Sequence, residues 1–81
     1  MKLPVIKHIS NFIQKNDEDY IIETSAVLED LIGARGLKDE ELDVIGELIS
    51  NLEGALEVQK LIKKGKTQKE AINEFMKRVT L

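Results

Sequence analysis

One helix-forming run dominates this chain, Lys38-Asp-Glu-Glu-Leu-Asp-Val-Ile-Gly-Glu-Leu-Ile-Ser-Asn-Leu-Glu-Gly-Ala-Leu-Glu-Val-Gln-Lys-Leu-Ile-Lys-Lys64. It contains no proline, its acids crowd the start and its lysines crowd the end, which matches the dipole of a helix. The run therefore predicts one long helix over residues 38–64. Such a helix is about 39 Å long, whereas a compact globule of this size is only about 30 Å across. The helix must either project from the molecule or break.

The apolar residues of this run do not share a single face. One broad face holds Leu42, Ile45, Leu48, Ile49, Leu52, Ala55 and Leu56. Val58, Leu61 and Ile62 rotate away from that face, and the rotation begins just after Gly54. This predicts either a kink or a change of packing partner near Gly54.

A row of small residues, Gly46, Ser50 and Gly54, lies roughly opposite the broad face. Each glycine inside a helix costs about 1 kcal/mol relative to alanine, so a compensating contact is expected. Small residues four apart let another backbone come close, which predicts that the long helix is contacted on both sides. The alternative is that the glycines are tolerated on a loose surface or mark a kink.

Three shorter helices complete the predicted fold. Pro4 suits the first turn of a helix over 4–15, and a second helix over 18–32 follows the capping residues Asn16 and Asp17. Thr67-Gln-Lys-Glu70 forms a capping box before a fourth helix over 67–80. The sequence therefore predicts an all-α fold with four helices, a small helical bundle forming a single domain over 1–81.

Composition excludes several classes of function. The chain has 81 residues, 42% hydrophobic and 33% charged, with no cysteine and one histidine. These numbers describe a soluble globule and leave no disulfide, thiolate nucleophile or zinc-finger ligand set. No export or membrane-spanning signal is recognisable, so we predict a cytoplasmic protein. A core this small is marginal alone, which favours self-association.

Charge is distributed unevenly along the chain. Residues 1–16 carry three lysines and no acid; residues 17–57 have a net charge of −11; residues 58–81 have a net charge of +5. A polarised molecule of this kind can orient an antiparallel neighbour or a charged partner, although most charge on a small helical protein keeps it soluble.

Few residues suggest catalysis. Asp39, Asp43 and Glu47 recur at every fourth position, but acids at a helix N-terminus explain them better than a shared metal ion does. Glu23 could pair with Glu53 or Glu57 across helices, and the lone His8 lacks a nominated nucleophile. We therefore predict no catalytic, cofactor-binding or metal-binding residue, and no enzyme activity.

Several segments together carry a family resemblance. They are Met1-Lys-Leu-Pro-Val-Ile-Lys-His8, Leu37-Lys-Asp-Glu-Glu-Leu-Asp-Val-Ile-Gly-Glu-Leu-Ile-Ser50, Gly54-Ala-Leu-Glu-Val58 and Phe75-Met-Lys-Arg-Val79. The chain resembles a family of short bacterial all-helical proteins of unknown function, over nearly its whole length. The resemblance implies a small intracellular helical protein and suggests a link to redox proteins, through genes near those of thioredoxin and peroxiredoxin. It supplies no functional residue.

The resulting prediction is a non-enzymatic interaction or scaffold protein, homodimeric through the long helix. The predicted interface consists of Ile45, Gly46, Leu48, Ile49, Ser50, Leu52, Gly54 and Leu56. The alternative is a nucleic-acid-associated module that uses the basic turn, defined as Lys60, Lys63, Lys64, Lys66 and Lys69. No cofactor is expected in either case.

Overall fold

Residues 1–80 are described by a computed structural model, and they form four helices with no strand among them. The helices are α1 (Leu3–Lys15), α2 (Asp19–Leu31), α3 (Asp39–Lys63) and α4 (Gln68–Val79). The all-α prediction is confirmed, and every predicted end lies within one residue of the observed end.

The long helix α3 is continuous through Gly54 and organises the whole fold. Its 25 residues correspond to a length of about 37 Å, in a molecule whose extents are 43 × 29 × 16 Å. The molecule is therefore elongated along α3. The helix does not break at Gly54, where side chains of α1 and α4 pack against it.

Helices α1 and α2 run in opposite directions along α3. The backbone N–H of Lys2 donates to Asn51 Oδ1 at 2.8 Å and Gln14 donates to Gln59 at 2.9 Å, so α1 runs in the same direction as α3. The Nζ of Lys63 contacts Glu18 Oε1 at 2.6 Å, just before the start of α2. Since the far end of α2 lies beside residues 44 and 45, α2 runs back against α3.

The core lies mainly among α1, α3 and α4, and α2 adds Ile21 to it. Ile6 and Val58 are completely buried, as are the small residues Ala55 and Ala71, and Phe75 closes the cluster from α4. Alanines at these positions let the helix backbones approach one another, and the larger side chains fill the remaining space. These three helices supply most of the buried core residues.

Gly54 is the point of closest approach in this core. A Cβ placed on Gly54 would lie 3.1 Å from Ile6 Cδ1 and 3.2 Å from Phe75 Cζ, closer than ordinary van der Waals contact. The expectation was that another backbone would come close to the small residues of α3, but at Gly54 the atoms in contact belong to the side chains of Ile6 and Phe75. The neighbours are α1 and α4 of the same chain.

Two polar contacts fix the ends of the short helices. Asn51 is buried, and its side-chain oxygen accepts the Lys2 N–H at the start of α1. At the start of α4, the Gln68 amide donates to Ser10 Oγ at 3.1 Å and to Asn11 Oδ1 at 2.8 Å. Because a buried polar group requires a hydrogen-bond partner, these contacts favour one register of α1 and α4.

Candidate interaction surface

Helix α2 is the least buried element of the fold. Only Ile21 and Ser25 of its thirteen residues are buried, although the segment is rich in large apolar side chains. It packs mainly on α3 and leaves most of its circumference exposed. Helix α2 therefore carries more large apolar side chains than it buries within the chain.

Six exposed large apolar side chains form a surface that we call the apolar surface. Its members are Phe12, Tyr20, Val27, Leu31, Val44 and Leu48. Val27, Val44 and Tyr20 are 65%, 59% and 57% exposed, respectively. Burial of such groups would release water from apolar area and is favourable on association.

Helical periodicity places these residues on one side of the molecule. Tyr20, Val27 and Leu31 are separated by seven and four positions on α2, which keeps them within one stripe. Val44 and Leu48 are likewise one turn apart on α3. Leu31 and Val44 line a common depression, so the two stripes are continuous.

The groove between α1 and α2 forms one end of the apolar surface. The rings of Phe12 and Tyr20 pack edge to face there, with centroids 5.8 Å apart and planes at 86°. A depression of about 260 Å³ lies beside them, with Ile9 and Ile21 on its walls and Leu52 also lining it. Two aromatic rings beside an apolar depression are typical of a site that receives a partner's side chain.

A second depression forms the other end. It has a volume of about 470 Å³ and is lined by Leu31, Leu37 and Val44 together with the buried Ile45. Glu40 and Glu41 of α3 also line this depression. The apolar surface thus extends from the α1–α2 turn to the start of α3.

The predicted interface on α3 divides into buried and exposed parts. Leu52, Ile45 and Gly54 are buried within the chain itself, and only Leu48 belongs to the apolar surface. A Cβ added at Gly46 would meet no atom within 4 Å, so this position contacts nothing else in the chain. The remaining predicted interface residues, which are half-buried, are Ile49, Ser50 and Leu56.

The predicted row of small residues is divided, because Gly54 is covered within the chain and Gly46 is not. The space beside Gly54 is already filled by Ile6 and Phe75, while Gly46 lies open to solvent. Other members of the apolar surface were not predicted as interface residues, namely Phe12, Tyr20, Val27, Leu31 and Val44. The available signal was the apolar content of α2, since residues 20–32 include more large apolar side chains than one buried stripe accommodates.

A second groove lies on the opposite side of α2. It has a volume of about 610 Å³, its apolar lining includes Ile22 and Leu56, and its acids include Glu29 and Glu53. A hydrogen bond that protonated Glu53 donates to the Glu29 carboxylate raises the pKa of Glu53, and desolvation and the negative charges of Glu29 and Glu57 add to the effect. The pairing of Glu53 with Glu23 considered from the sequence is therefore wrong, because Glu29 takes that place.

The basic turn is largely engaged in ion pairs within the chain. Lys60 lies 3.1 Å from Glu57, Lys63 lies 2.6 Å from Glu18, and Lys66 lies 3.2 Å from Glu74. Lysines paired in this way release fewer counterions on binding phosphate groups than free lysines do. The geometry therefore gives little support to nucleic-acid binding at this turn.

The described part of the chain offers no centre for metal chemistry. Among residues 1–80, no three His, Asp or Glu side chains gather closely enough to hold a metal ion. His8 is exposed and lines the groove beside Phe12. No helix within the same range is long and apolar enough to cross a membrane.

The fold and the apolar surface together define a small all-helical protein built around one long helix. The chain belongs to a family of unknown function, DUF6952, whose family model matches residues 1–81. The resemblance to a short helical family without an assigned activity is thereby confirmed. No curated protein and no solved structure matches the chain at a significant level.

Proposed function

We propose that this protein is a non-enzymatic interaction protein that works as a homodimer, with the apolar surface at the subunit contact. The observation that carries the proposal is the clustering of six exposed large apolar side chains on one side of the molecule. The same proposal places the protein in the cytoplasm, a reducing compartment that suits a chain without cysteine.

The size of the apolar surface supports a dimer. Six such side chains at their observed exposures present on the order of 500 Å² of apolar area, at the upper end of what monomeric proteins expose. A standard interface buries about 800 Å² per partner, of which roughly 60% is apolar. The area available therefore matches the apolar part of one standard interface.

Self-association also compensates for the limited packing of α2. Only two of its residues are buried in the single chain, and an 81-residue protein without disulfides has little stability to spare. A second copy seated on Tyr20, Val27 and Leu31 would bury the outer stripe of α2. We therefore expect dimerisation and stability to be coupled.

Sedimentation equilibrium over about 1–200 µM protein, a range that brackets weak dimers, tests the proposal. The wild type should show a concentration-dependent shift from 9.2 kDa towards twice that mass. Val27→Lys, which places a charge in the centre of the apolar surface, should weaken the dimer at least about tenfold.

Val79→Lys is the matched control, because Val79 is an exposed valine on α4 outside the apolar surface. It should leave the dimer unchanged. A wild type that remains a 9.2 kDa monomer at every concentration, or equal losses in both variants, would contradict the proposal.

The nucleic-acid alternative has a separate test. Titration of labelled mixed-sequence DNA and RNA at low salt should show no binding, because three lysines of the basic turn already have acidic partners. Tight, salt-sensitive binding that is lost in a Lys64→Glu, Lys69→Glu double variant would favour the alternative.

A further inference from the structure

We infer that the two copies pair with α1 of each subunit against α2 of the other, so that a basic edge meets an acidic edge twice. This inference rests on the proposed function and specifies the partner and its orientation. It follows from the charges that border the apolar surface.

The two helices that form the α1–α2 groove carry opposite charge. Residues 1–16, which include α1, contain three lysines and no acid, whereas residues 17–32, which include α2, contain six acids and no Lys or Arg. Both helices line the groove at Phe12 and Tyr20. The apolar surface at this end is therefore bordered by a basic helix and an acidic helix.

Two-fold symmetry then allows two simple arrangements. When two copies meet face to face, the symmetry axis lies in the plane between them. An axis perpendicular to the helices places α1 on α1 and α2 on α2, which sets the acidic helix of one copy against the acidic helix of the other. An axis parallel to the helices places α1 on α2 in both directions and so sets the basic helix against the acidic helix twice.

Lys15 and Glu23 are the residues best placed to make this contact. Lys15 is exposed and follows Phe12 by three positions, so it borders the apolar surface on α1. Glu23 is exposed and lies three positions after Tyr20 and four before Val27, so it borders the same surface on α2.

Both side chains also lie at the same level along the molecule. Lys15 ends α1 and Glu23 lies within the first turns of α2, so each is within about 8 Å of the α1–α2 turn along the helix axis. An axis parallel to the helices preserves this level. Lys15 of one copy thus faces Glu23 of the other, and symmetry makes the contact twice.

Charge reversal at these positions tests the arrangement. Lys15→Glu alone sets acid against acid at both contacts, and Glu23→Lys alone sets base against base. Each single variant should dimerise about tenfold more weakly than wild type in about 50 mM salt, because an attractive pair becomes repulsive at two sites. The deficit should shrink in about 500 mM salt, where surface charges are screened.

Two combinations of these variants restore the attraction between subunits. They also show whether the single variants weaken the dimer merely because they unfold. The double variant Lys15→Glu, Glu23→Lys should regain homodimers close to wild-type strength. A mixture of the two single variants should form heterodimers in preference to either homodimer, as detected by native mass spectrometry. Lys7→Glu is the matched control, since Lys7 is exposed but lies about 140° around α1 from Phe12, and it should have little effect.

The outcomes separate this inference from the proposed function. If Val27→Lys disrupts the wild-type dimer but both charge reversals leave it intact, the apolar surface is the contact and the α1-on-α2 arrangement is overturned. If the single reversals strengthen the dimer, like helices face one another and the arrangement is again overturned. A wild type that never dimerises overturns both proposals.

Discussion

Substituting alanine for Gly46 or for Gly54 should change stability in opposite directions, although both are glycines inside the same helix. Alanine at either position gains about 1 kcal/mol of helix propensity. At Gly46 nothing lies within 4 Å of the added Cβ, so Gly46→Ala should stabilise the fold by about 1 kcal/mol.

At Gly54 the added methyl group meets a filled space. Its contacts with Ile6 and Phe75 lie at 3.1 to 3.3 Å, and both neighbours are buried, so neither can move aside without disturbing the core. Overpacking of this kind typically costs about 1–3 kcal/mol. Subtracting the gain in helix propensity leaves Gly54→Ala destabilised by about 1 kcal/mol.

Urea denaturation followed by far-UV circular dichroism measures both effects. The two variants should differ by about 2 kcal/mol, which corresponds to midpoints of thermal unfolding separated by roughly 8–16 °C in a domain of this size. Measurements at two protein concentrations separate folding from dimerisation. If Gly54→Ala stabilises the protein as much as Gly46→Ala does, the close approach of α1 and α4 to α3 is refuted.

Other substitutions test single features of the structure. Thr67→Ala should destabilise the fold by about 1 kcal/mol, because the Thr67 hydroxyl accepts the Glu70 N–H at the start of α4. Urea denaturation measures this loss, and an unchanged midpoint would contradict the observed cap. Hydrogen bonds from Thr67 lower the pKa of Glu70, so this carboxylate stabilises the fold above its unfolded pKa, and the contribution is lost as pH falls through the folded value. The stability difference between wild type and Glu70→Gln should therefore narrow as pH falls below about 4.5. A difference that stays constant with pH would contradict this contribution of the Glu70 carboxylate. The raised pKa of Glu53 has the opposite effect on stability. The protonated Glu53 carboxyl stabilises the fold at low pH, and this contribution is lost as pH rises through the folded pKa. Glu53→Gln should be neutral or stabilising at about pH 7 relative to wild type, and lose that advantage in acid, as measured by thermal unfolding. Ile6→Ala should cost about 2–5 kcal/mol, since Ile6 is completely buried; a loss below about 1 kcal/mol would mean that α1 is not part of the core.

Local chemistry in the sequence was sufficient to predict the four helices. Thr67 and Glu70 signal the start of α4 because their side chains bond to backbone groups only three residues away. The acids and lysines at the two ends of α3 act on the dipole of the same helix. Interactions of this range are visible in a linear sequence.

Which face of each helix is covered depended on tertiary packing. The sequence placed Gly54 in a row of small residues, but only the folded chain shows that Ile6 and Phe75, distant in sequence, fill the space beside it. The partner of Glu53 could not be predicted either, because Glu29 reaches it only through the antiparallel alignment of α2 on α3.

The apolar surface also depends on tertiary packing. Periodicity shows which residues share a stripe, yet Phe12, Tyr20 and Val44 come from three helices and adjoin only after α1 and α2 have packed along α3. The sequence by itself determined the helices, their ends and the charge of each segment, since these depend on neighbours within a few residues. Tertiary structure decided which apolar side chains remain exposed, because exposure depends on the limited area that the other helices of an 81-residue chain can cover.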